Sequence, residues 1–177
     1  MGELRASGAE VRVYATDVTR ADDVTRLLAS MDAELPPLRG IVHAAGVIAD
    51  GVLAQLDAER LRTVLAPKVQ GAWNLHAQTL GRPLDFFVMF SSAASMLGSP
   101  GQGNYAAANA FMDVLAHHRR AAGLPALSVN WGPWAEVGRL RWRRTGATGW
   151  PCAAWATCRQ HKPWMRWGAC WRRRPRR

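Results

Sequence analysis

A tyrosine, a lysine and a serine carry the clearest chemical signal in this sequence. The chain has only two tyrosines, and Tyr105 opens an alanine-rich stretch thirteen residues after Ser92 and four before Asn109. Lys68 is the only lysine among residues 1–138. A phenol donates a proton poorly at neutral pH unless a nearby cation favours its ionised form. A hydroxyl that holds a carbonyl oxygen, a phenol that protonates it and an ammonium group beside that phenol would together suit acid–base chemistry on a carbonyl.

Each of these residues also has an ordinary structural explanation. A lone tyrosine most often packs in a core, and a lone lysine is usually a solvated surface charge. A serine at a strand end usually caps the next turn. The functional interpretation therefore depends on the joint spacing of the three residues and on the elements that position them.

Apolar periodicity predicts those elements. The predicted strands are short apolar or alternating runs at 11–16, 38–44, 84–90 and 126–131. The predicted helices have apolar residues at helical spacing and span 17–34, 61–80 and 104–122. We expect Thr19 to cap the first helix and Pro67 to lie in the first turn of the second. The continuous run 84–90 is typical of a strand covered on both faces. Strands that alternate with helices indicate an α/β fold with a doubly wound parallel sheet.

The predicted fold brings the candidate residues to one end of the sheet. Ligands of a parallel α/β sheet bind beyond the carboxyl ends of its strands, and Ser91 and Ser92 follow the strand predicted at 84–90. Tyr105 lies in the first turn of the next helix, with Asn109 one turn later on the same face. Neighbouring helices on one face of the sheet would bring Lys68 against Tyr105.

Basic charge is confined to the C-terminal part of the sequence. The formal net charge is +10, but residues 1–138 contain 11 Lys/Arg and all 13 Asp/Glu, whereas residues 139–177 contain 12 Lys/Arg and no acid. The same tail holds all three cysteines and six of the nine tryptophans. We therefore divide the chain into a body, residues 1–138, and a tail, residues 139–177, which we expect to be disordered or translated out of frame.

Three interpretations of the tail remain open. It could be an arm that binds nucleic acid by stacking its tryptophans on bases. It could bind zinc, although the spacing C-x5-C-x2-H-x8-C fits no common zinc site; the residues would be Cys152, Cys158, His161 and Cys170. Because pattern and composition change abruptly at one point, we favour a shifted reading frame in GC-rich coding sequence. We therefore expect no metal ion and no nucleic-acid partner.

Further segments of the body agree with the spacing around the tyrosine. They are ATDV (15–18), HAAG (43–46), PKVQGAWNLH (67–76), FSS (90–92), QGNYAAANAFMD (102–113) and VNWGPWAEVG (129–138). With these segments the body resembles the short-chain dehydrogenase/reductase superfamily and, within it, the ketoreductase domains of modular type I polyketide synthases. Ordinary members of the superfamily carry Tyr-x-x-x-Lys, whereas this chain carries Tyr105-x-x-x-Asn109 and has its lysine at Lys68. That exchange is similar to the polyketide ketoreductase arrangement.

The resemblance implies an NADPH-dependent reduction. The substrate would be the β-keto group of an acyl chain tethered through phosphopantetheine to an acyl carrier protein, with other polyketide synthase domains as further partners. Tyr105 would protonate the developing alkoxide, and Ser92 would hydrogen-bond the same oxygen. Lys68 would favour the ionised tyrosine and, with Asn109, would organise the cofactor ribose and a proton-relay water.

The resemblance also assigns residues to the rest of the cofactor. The assigned residues are Asp17 and Val18 beside the adenine, Ala44, Ala45 and Gly46 along the cofactor, and Pro133 and Trp134 near the nicotinamide end. The structural alternative for Asp17 is a helix cap. For His43 we expect a satisfied polar group at a strand end instead of a catalytic role.

Markers of product configuration resemble those of the B-type ketoreductases. The B-type triplet Leu-Asp-Asp reads Ile48-Ala49-Asp50 in this chain, so only its last acid is present. Pro100 and Asn104 match the B-type pattern, and the opposite class has a tryptophan where this chain has Leu97. These residues predict the B-type configuration.

One part of the superfamily pattern is missing from the sequence. No Gly-x-Gly-x-x-Gly precedes Gly8, and GSPGQG at 98–103 precedes the tyrosine instead of following a first strand. In the superfamily that part supplies the central strand and the turn that binds the pyrophosphate. We therefore expect an incomplete Rossmann-like sheet, a fragment of a ketoreductase, and weak binding of NADPH.

Other functions remain as alternatives. They are a short-chain reductase that acts on a free or fatty acyl substrate, a non-catalytic remnant of a synthase, and a nucleic-acid-binding protein that uses its basic tail. The exchange of Lys68 and Asn109 argues against the first. No apolar run is long enough to cross a bilayer and the N-terminus lacks the apolar core of a secretory signal, so we expect a cytoplasmic protein without a membrane partner.

Overall fold

A computed structural model describes residues 2–134, so the predictions for the tail 139–177 lie outside the described residues. The elements of the first half are α1 (Gly2–Ala6), α2 (Ala21–Glu34), β1 (Gly40–His43), a 3₁₀ turn (Leu53–Gln55) and α3 (Ala58–Leu65). Those of the second half are a π turn (Ala66–Gln70), α4 (Gly71–Gln78), β2 (Phe86–Ser92), α5 (Ala94–Leu97), α6 (Gly103–Ala121) and β3 (Leu127–Trp131).

The described sheet has three parallel strands in the order β1-β2-β3. β1 and β2 pair from Gly40 opposite Phe86 to His43 opposite Met89. The ring of Phe86 lies over Gly40 at the start of β1, and a Cβ atom at this position would displace the ring. Helices α3 and α4 lead from β1 to β2, and α6 leads from β2 to β3. The predicted parallel α/β fold is confirmed.

The core lies on one face of this sheet. Ile41, Phe87 and Met89 point into it and are buried. The helices α2, α4 and α6 supply most of the remaining core, with Val24, Leu28, Ala72, Leu75, Met112, Leu115 and Ala116, and Leu84 ahead of β2 completes it. On the opposite face Val42 is 57% exposed and Phe86 is also exposed. The expectation that β2 is covered on both faces is therefore wrong for residues 2–134, because burial alternates along the strand.

The strand predicted at 11–16 is absent, which makes that prediction wrong. A strand requires a neighbour that pairs with its N–H and C=O groups. The described strands pair only in the order β1-β2-β3, and none of them is a partner for 11–16. The valine alternation also buries no face here, because Val13 is exposed.

The first long helix begins later than the sequence suggested. α2 starts at Ala21 with Arg20 in the N-cap position and without a side-chain cap. Thr19 is not the cap, because its N–H and its hydroxyl donate to the Asp17 carboxylate at 2.9 and 2.8 Å. Asp17 thus closes a turn ahead of the helix. These hydrogen bonds, the one from the N–H most of all, lower the pKa of its carboxyl group.

The helical stretch predicted at 61–80 begins earlier and contains a wide turn. α3 starts at Ala58, and the Asp57 carboxylate caps it by accepting the N–H of Arg60 at 2.8 Å. The helical run then continues through the π turn Ala66–Gln70 into α4. Pro67 therefore lies inside the run, and the prediction that it occupies the first turn is wrong. The wide turn accommodates a residue that has no N–H for the helical ladder.

A buried arginine fastens α6 to α4 and to the sheet. The Arg119 guanidinium contacts Nδ1 of His76 at 2.9 Å, donates to the Pro125 carbonyl at 3.2 Å and lies 4.0 Å from the centre of the Phe87 ring. Burial lowers the pKa of His76, and Arg119 adds to this effect. A neutral His76 can accept the hydrogen bond of Arg119, so the contact holds the helix that carries Tyr105 against the core.

Contacts divide the chain into two units, one that ends at Asn130 and one that starts at Trp131. Within the second unit the rings of Trp131 and Trp134 meet edge to face, with centroids 5.3 Å apart. None of the helices between residues 2 and 134 is long and apolar enough to cross a membrane.

Candidate active site

The serine of the candidate site is the last residue of β2. The strand extends two residues further than predicted and so includes Ser91 and Ser92. The Ser92 hydroxyl oxygen accepts the N–H of Ala94 at 3.2 Å. Because an accepting hydroxyl keeps its own proton, Ser92 can still donate a hydrogen bond to a ligand. The backbone turn that starts here therefore orients the hydroxyl at the carboxyl end of the strand.

The lysine is buried in the π turn. Lys68 is 4% exposed, and its ammonium group donates to the Phe90 carbonyl at 3.0 Å. The same Nζ atom lies 5.4 Å from the centre of the Tyr105 ring. Burial lowers the pKa of Lys68 to about 8, and the negative charge of Asp113 opposes that decrease. The predicted meeting of lysine and tyrosine is thus present in the structure, with the ammonium group largely removed from water.

A glycine leaves the space that the lysine needs. A Cβ atom at Gly46 would lie 2.9 Å from Cε of Lys68 and 3.4 Å from its Nζ. Any larger residue at this position would push the lysine side chain away. The backbone at Gly46 therefore approaches Lys68 closely, while Ala44, Ala45 and Gly46 are themselves exposed.

Asn109 is fully buried at 0% exposure and is one turn after the tyrosine. Its Nδ2 donates to the Tyr105 carbonyl at 2.7 Å, and its own backbone carbonyl accepts the Ser91 hydroxyl at 3.3 Å. Its Oδ1 has no hydrogen-bond partner within residues 2–134. A buried carbonyl oxygen without a donor is costly, so this atom is a candidate acceptor for a ligand or a water.

A second group of contacts fixes the loop that precedes the tyrosine. The Asp50 carboxylate accepts Nε2 of Gln102 with both oxygens, at 3.2 and 3.0 Å. The buried Asn104 donates to the Ala49 carbonyl at 2.9 Å, and its Oδ1 accepts the N–H of Tyr105 at 2.8 Å. The loop that carries Asp50 is thereby tied to the first turn of α6.

The remaining sequence candidates have different surroundings. Val18 packs against Gly71, and its carbonyl accepts Nδ2 of Asn74 at 2.9 Å, at the base of α4. Leu97 and Pro100 are exposed on the segment between β2 and α6. Pro133 and Trp134 follow β3, and both are exposed. Their roles at the adenine, the substrate and the nicotinamide stay predictions.

His43 lies at the end of β1 and is buried. Its Nε2 has no hydrogen-bond partner in the described part of the chain, so the expectation of a satisfied polar group is wrong for this atom. Burial lowers the pKa of His43 to about 4, and the nearby Lys68 charge adds to this effect. The imidazole is therefore neutral at physiological pH.

The buried His43 is expected to make the folded chain sensitive to acid. The pKa of His43 lies near 6.5 in the unfolded chain and near 4 in the folded chain. The unfolded chain therefore binds more protons between these two values, and the folded chain loses stability as the pH decreases from 6.5 to 4. The full shift corresponds to about 3 kcal/mol of unfolding free energy. Urea unfolding at pH 7.5 and pH 4.5 measures the loss.

A histidine comparison isolates the contribution of His43 to this acid sensitivity. His43→Asn is expected to reduce the loss, whereas the same change at the exposed His117 leaves it unchanged. An equal loss in both variants would contradict the assignment.

Sequence reasoning missed one residue that contacts several elements of the site. Asp113 accepts hydrogen bonds from Ser95, Ser128 and Asn130, and its charge acts on Lys68. The missed signal was helical spacing, because position 113 is one turn after Asn109 and two turns after Tyr105. An acid on that face of a predicted buried helix requires partners.

Ser92, Tyr105 and Lys68 have the groups that are needed to bind and protonate a carbonyl oxygen, and the structure places Lys68 beside Tyr105. The Ser92 hydroxyl can donate to it, and the Tyr105 phenol can transfer a proton to it, with the ammonium group of Lys68 beside the phenol ring. The site also fits the sugar part of a nicotinamide cofactor in two respects. The ammonium group has one described hydrogen-bond partner and therefore protons left to donate, and Asn109 offers a buried acceptor.

Comparison with known proteins identifies a family that the chain matches. The family model described as KR domain matches residues 1–136. The chain is 54% identical over 138 residues to the phenolphthiocerol synthesis polyketide synthase type I Pks15/1 of Mycobacterium marinum. The aligned region covers 78% of this chain and 7% of that protein.

Solved structures with a similar fold include two ketoreductase structures. The ketoreductase from the first module of phoslactomycin biosynthesis in Streptomyces sp. HK803 is 45% identical with a TM-score of 0.74, over 78% of this chain and 32% of that one. A structure of A-type ketoreductases from a modular polyketide synthase is 44% identical with a TM-score of 0.72, over 77% and 29%. The chain thus spans about a third of these ketoreductases and a small part of the synthase.

Proposed function

The chain belongs to the KR domain family of polyketide synthases, and on this premise we propose that it carries the catalytic residues of a β-ketoreductase. Its substrate would be the β-keto group of an acyl chain bound as a thioester to an acyl carrier protein. The observation that supports this most is the buried ammonium group of Lys68, 5.4 Å from the centre of the Tyr105 ring. An ammonium group is costly to bury, and a site that needs it beside a phenol accounts for its position.

The chain's own residues would act on the ketone oxygen. Ser92 donates a hydrogen bond to that oxygen and orients the carbonyl, and Tyr105 transfers its phenolic proton to the alkoxide as the β-carbon becomes tetrahedral. The positive charge of Lys68 favours negative charge on the phenol at that moment. Asn109 stabilises the first turns of α6 through its hydrogen bond to the Tyr105 carbonyl. Its Oδ1 can accept a hydrogen bond from a water that returns a proton to Tyr105.

The cofactor of this proposal is NADPH, which supplies the hydride when it is bound. Lys68 and Asn109 would hold its ribose, and the exposed backbone of Ala44, Ala45 and Gly46 would line it. Asp17 and Val18 would lie beside its adenine, and Pro133 and Trp134 near its nicotinamide. Because residues 2–134 contain no glycine-rich turn for the pyrophosphate, we propose that the chain alone binds NADPH weakly.

The proposed product has the B-type configuration. Overall similarity does not decide this point, since A-type ketoreductases are also 44% identical to the chain. The local observation in its favour is the pairing of Asp50 with Gln102, which places the one remaining acid of the B-type triplet beside the turn that precedes Tyr105. An acid fixed there can restrict how the acyl chain enters.

Reduction of a carrier-bound β-ketoacyl thioester tests the function. We would compare the 177-residue chain with an extended chain, in which a first strand, a glycine-rich turn and a helix of the superfamily pattern precede it. The extended chain is expected to oxidise NADPH with the carrier-bound substrate and to give the B-type alcohol on chiral analysis. NADPH titration followed by fluorescence is expected to give a Kd at least about tenfold higher for the 177-residue chain than for the extended chain, because the pyrophosphate contacts are lost.

The outcomes of this comparison separate the proposals. An extended chain that binds NADPH but reduces no β-keto thioester would overturn the ketoreductase proposal. Micromolar binding and turnover by the 177-residue chain alone would overturn the proposal of weak cofactor binding. Faster turnover of free ketones than of the carrier-bound substrate would favour a reductase of free small molecules.

A further inference from the structure

A carboxylate without a role in the proton transfer lies at the centre of a polar cluster next to the site. Asp113 is on α6 and partly buried. Its Oδ2 accepts the Ser95 hydroxyl at 2.6 Å and Nδ2 of Asn130 at 2.9 Å, and its Oδ1 accepts the Ser128 hydroxyl. The three donors come from α5 and β3, so one side chain joins three elements.

The same cluster reaches the serine of the site. Nδ2 of Asn130 contacts the Ser95 hydroxyl at 2.8 Å, and lies 3.3 Å from both the Ser92 carbonyl and the Ser91 hydroxyl. The Ser95 hydroxyl is also 2.9 Å from the Ser92 carbonyl. A hydroxyl has one proton, and a carboxylate is the stronger acceptor. Ser95 therefore donates to Asp113 while it accepts from Asn130.

Building on the proposed function, we propose that Asp113 is a positioning residue of the site. Its carboxylate fastens the segment Ser91–Ser95 and strand β3 to the helix that bears Tyr105, and thereby holds the Ser92 hydroxyl where the ketone oxygen binds. Without the carboxylate, Ser95 and Ser128 lose a charged acceptor and the turn after Ser92 loses its side-chain hydrogen bond to α6. Hydrogen bonds to a charged group are about twice as strong as neutral ones.

The charge of Asp113 also bears on Lys68. The groups that face Lys68 are His43 from β1, the Phe90 carbonyl from β2, and Tyr105 and Asp113 from α6. His43 is neutral near pH 7, so Asp113 supplies the negative charge that counters the burial of the ammonium group. Its loss makes the protonated lysine less favourable.

The decisive variant is Asp113→Asn, which keeps the shape of the side chain and removes its charge. In the extended chain we expect kcat to fall about 10–100-fold while KM for NADPH changes less than about twofold, because orientation of the ketone is lost and cofactor contacts remain. Asp85→Asn, at an exposed acid paired with Arg39, is the matched control and is expected to leave both values unchanged.

Two readouts on the 177-residue chain do not depend on catalysis. Exchange of the Ala94 amide, which donates to Ser92, is expected to become about tenfold faster in Asp113→Asn as that turn loosens. The chain has two lysines, so ¹⁵N-lysine labelling gives two ammonium signals, and Lys162→Met assigns them. The midpoint of the Lys68 titration is expected to fall by about one pH unit in Asp113→Asn.

Loss of kcat together with faster Ala94 exchange and a lower Lys68 midpoint supports the positioning role. Unchanged Ala94 exchange and an unchanged Lys68 midpoint overturn it, even if the variant is less stable and less active. If the unsubstituted extended chain reduces no ketone, the proposed function fails, and the two spectroscopic readouts still decide whether Asp113 positions Ser92.

Discussion

Replacement of Tyr105 by phenylalanine is expected to lower kcat for reduction of the carrier-bound β-ketone about 10²–10⁴-fold in the extended chain. The substitution removes the one hydroxyl that can protonate the alkoxide and leaves the ring that packs beside Lys68. The fold should persist, because the backbone contacts of Tyr105 with Asn104 and Asn109 do not involve its hydroxyl. Initial rates at saturating NADPH and substrate, with circular dichroism for the fold, measure both points.

The second tyrosine of the chain provides the control for this substitution. Tyr14→Phe removes the hydroxyl of the other tyrosine, which has no part in the proposed proton transfer. It should therefore not alter kcat. A Tyr105→Phe variant as active as Tyr14→Phe would mean that another group is the proton donor.

Replacement of Lys68 by methionine is expected to remove most of the activity at little cost in stability near neutral pH. The ammonium group assists proton transfer and holds the cofactor in the proposed mechanism, so kcat/KM should fall at least about 10²-fold. Methionine has a similar length and no charge, so it avoids the burial of an ammonium group. It removes the hydrogen bond that Lys68 donates to the Phe90 carbonyl, and a hydrogen bond from a charged group contributes about 1.5–3 kcal/mol. Burial of the charge costs a comparable amount, since a pKa lowered from 10.5 to about 8 corresponds to about 3 kcal/mol.

The pH dependence of stability tests the burial of Lys68 directly. The pKa of Lys68 is about 8 when folded and 10.5 when unfolded, so between these values the unfolded chain binds more protons and the folded chain gains stability as pH rises. The methionine variant lacks this gain. Urea unfolding at pH 7 and pH 10 is expected to show the unsubstituted chain gaining about 1–3 kcal/mol relative to Lys68→Met.

The other lysine provides the control here as well. Lys162 lies outside the described residues, and Lys162→Met is expected to follow the unsubstituted chain at both pH values. A stability difference between Lys68→Met and the unsubstituted chain that does not change with pH would show that the Lys68 ammonium group is not buried.

The sequence predicted α6 to within one residue at each end, because small residues and helical spacing agree with burial along that helix. It also predicted the approach of Lys68 to Tyr105, since the order of helices on a parallel sheet determines which ones are neighbours. Its failures concern partners distant in sequence. The alternating valines at 11–16 satisfy the local pattern of a strand, but a strand forms only beside another strand, and the described sheet offers none to this segment.

Two features of the site could not be predicted from the sequence and are known only from the structure. Pro67 disfavours a regular helix interior, so the sequence indicated a helix start where the chain instead widens into a π turn that carries the buried Lys68. Asp113 was missed because its donors, Ser95, Ser128 and Asn130, come from other elements. Local periodicity places an acid on a helix face, but it does not say which donors surround it.

The most direct test of the central claim follows the reducing hydrogen itself. The extended chain is incubated with NADPH deuterated at the transferred position and with a carrier-bound β-ketoacyl thioester, and the acyl chain is released and analysed by mass spectrometry. If the site around Tyr105 and Lys68 is a β-ketoreductase, the product is an alcohol with deuterium on the β-carbon, and Tyr105→Phe yields almost none. Unreduced ketone recovered from a protein that has bound the cofactor would contradict the account.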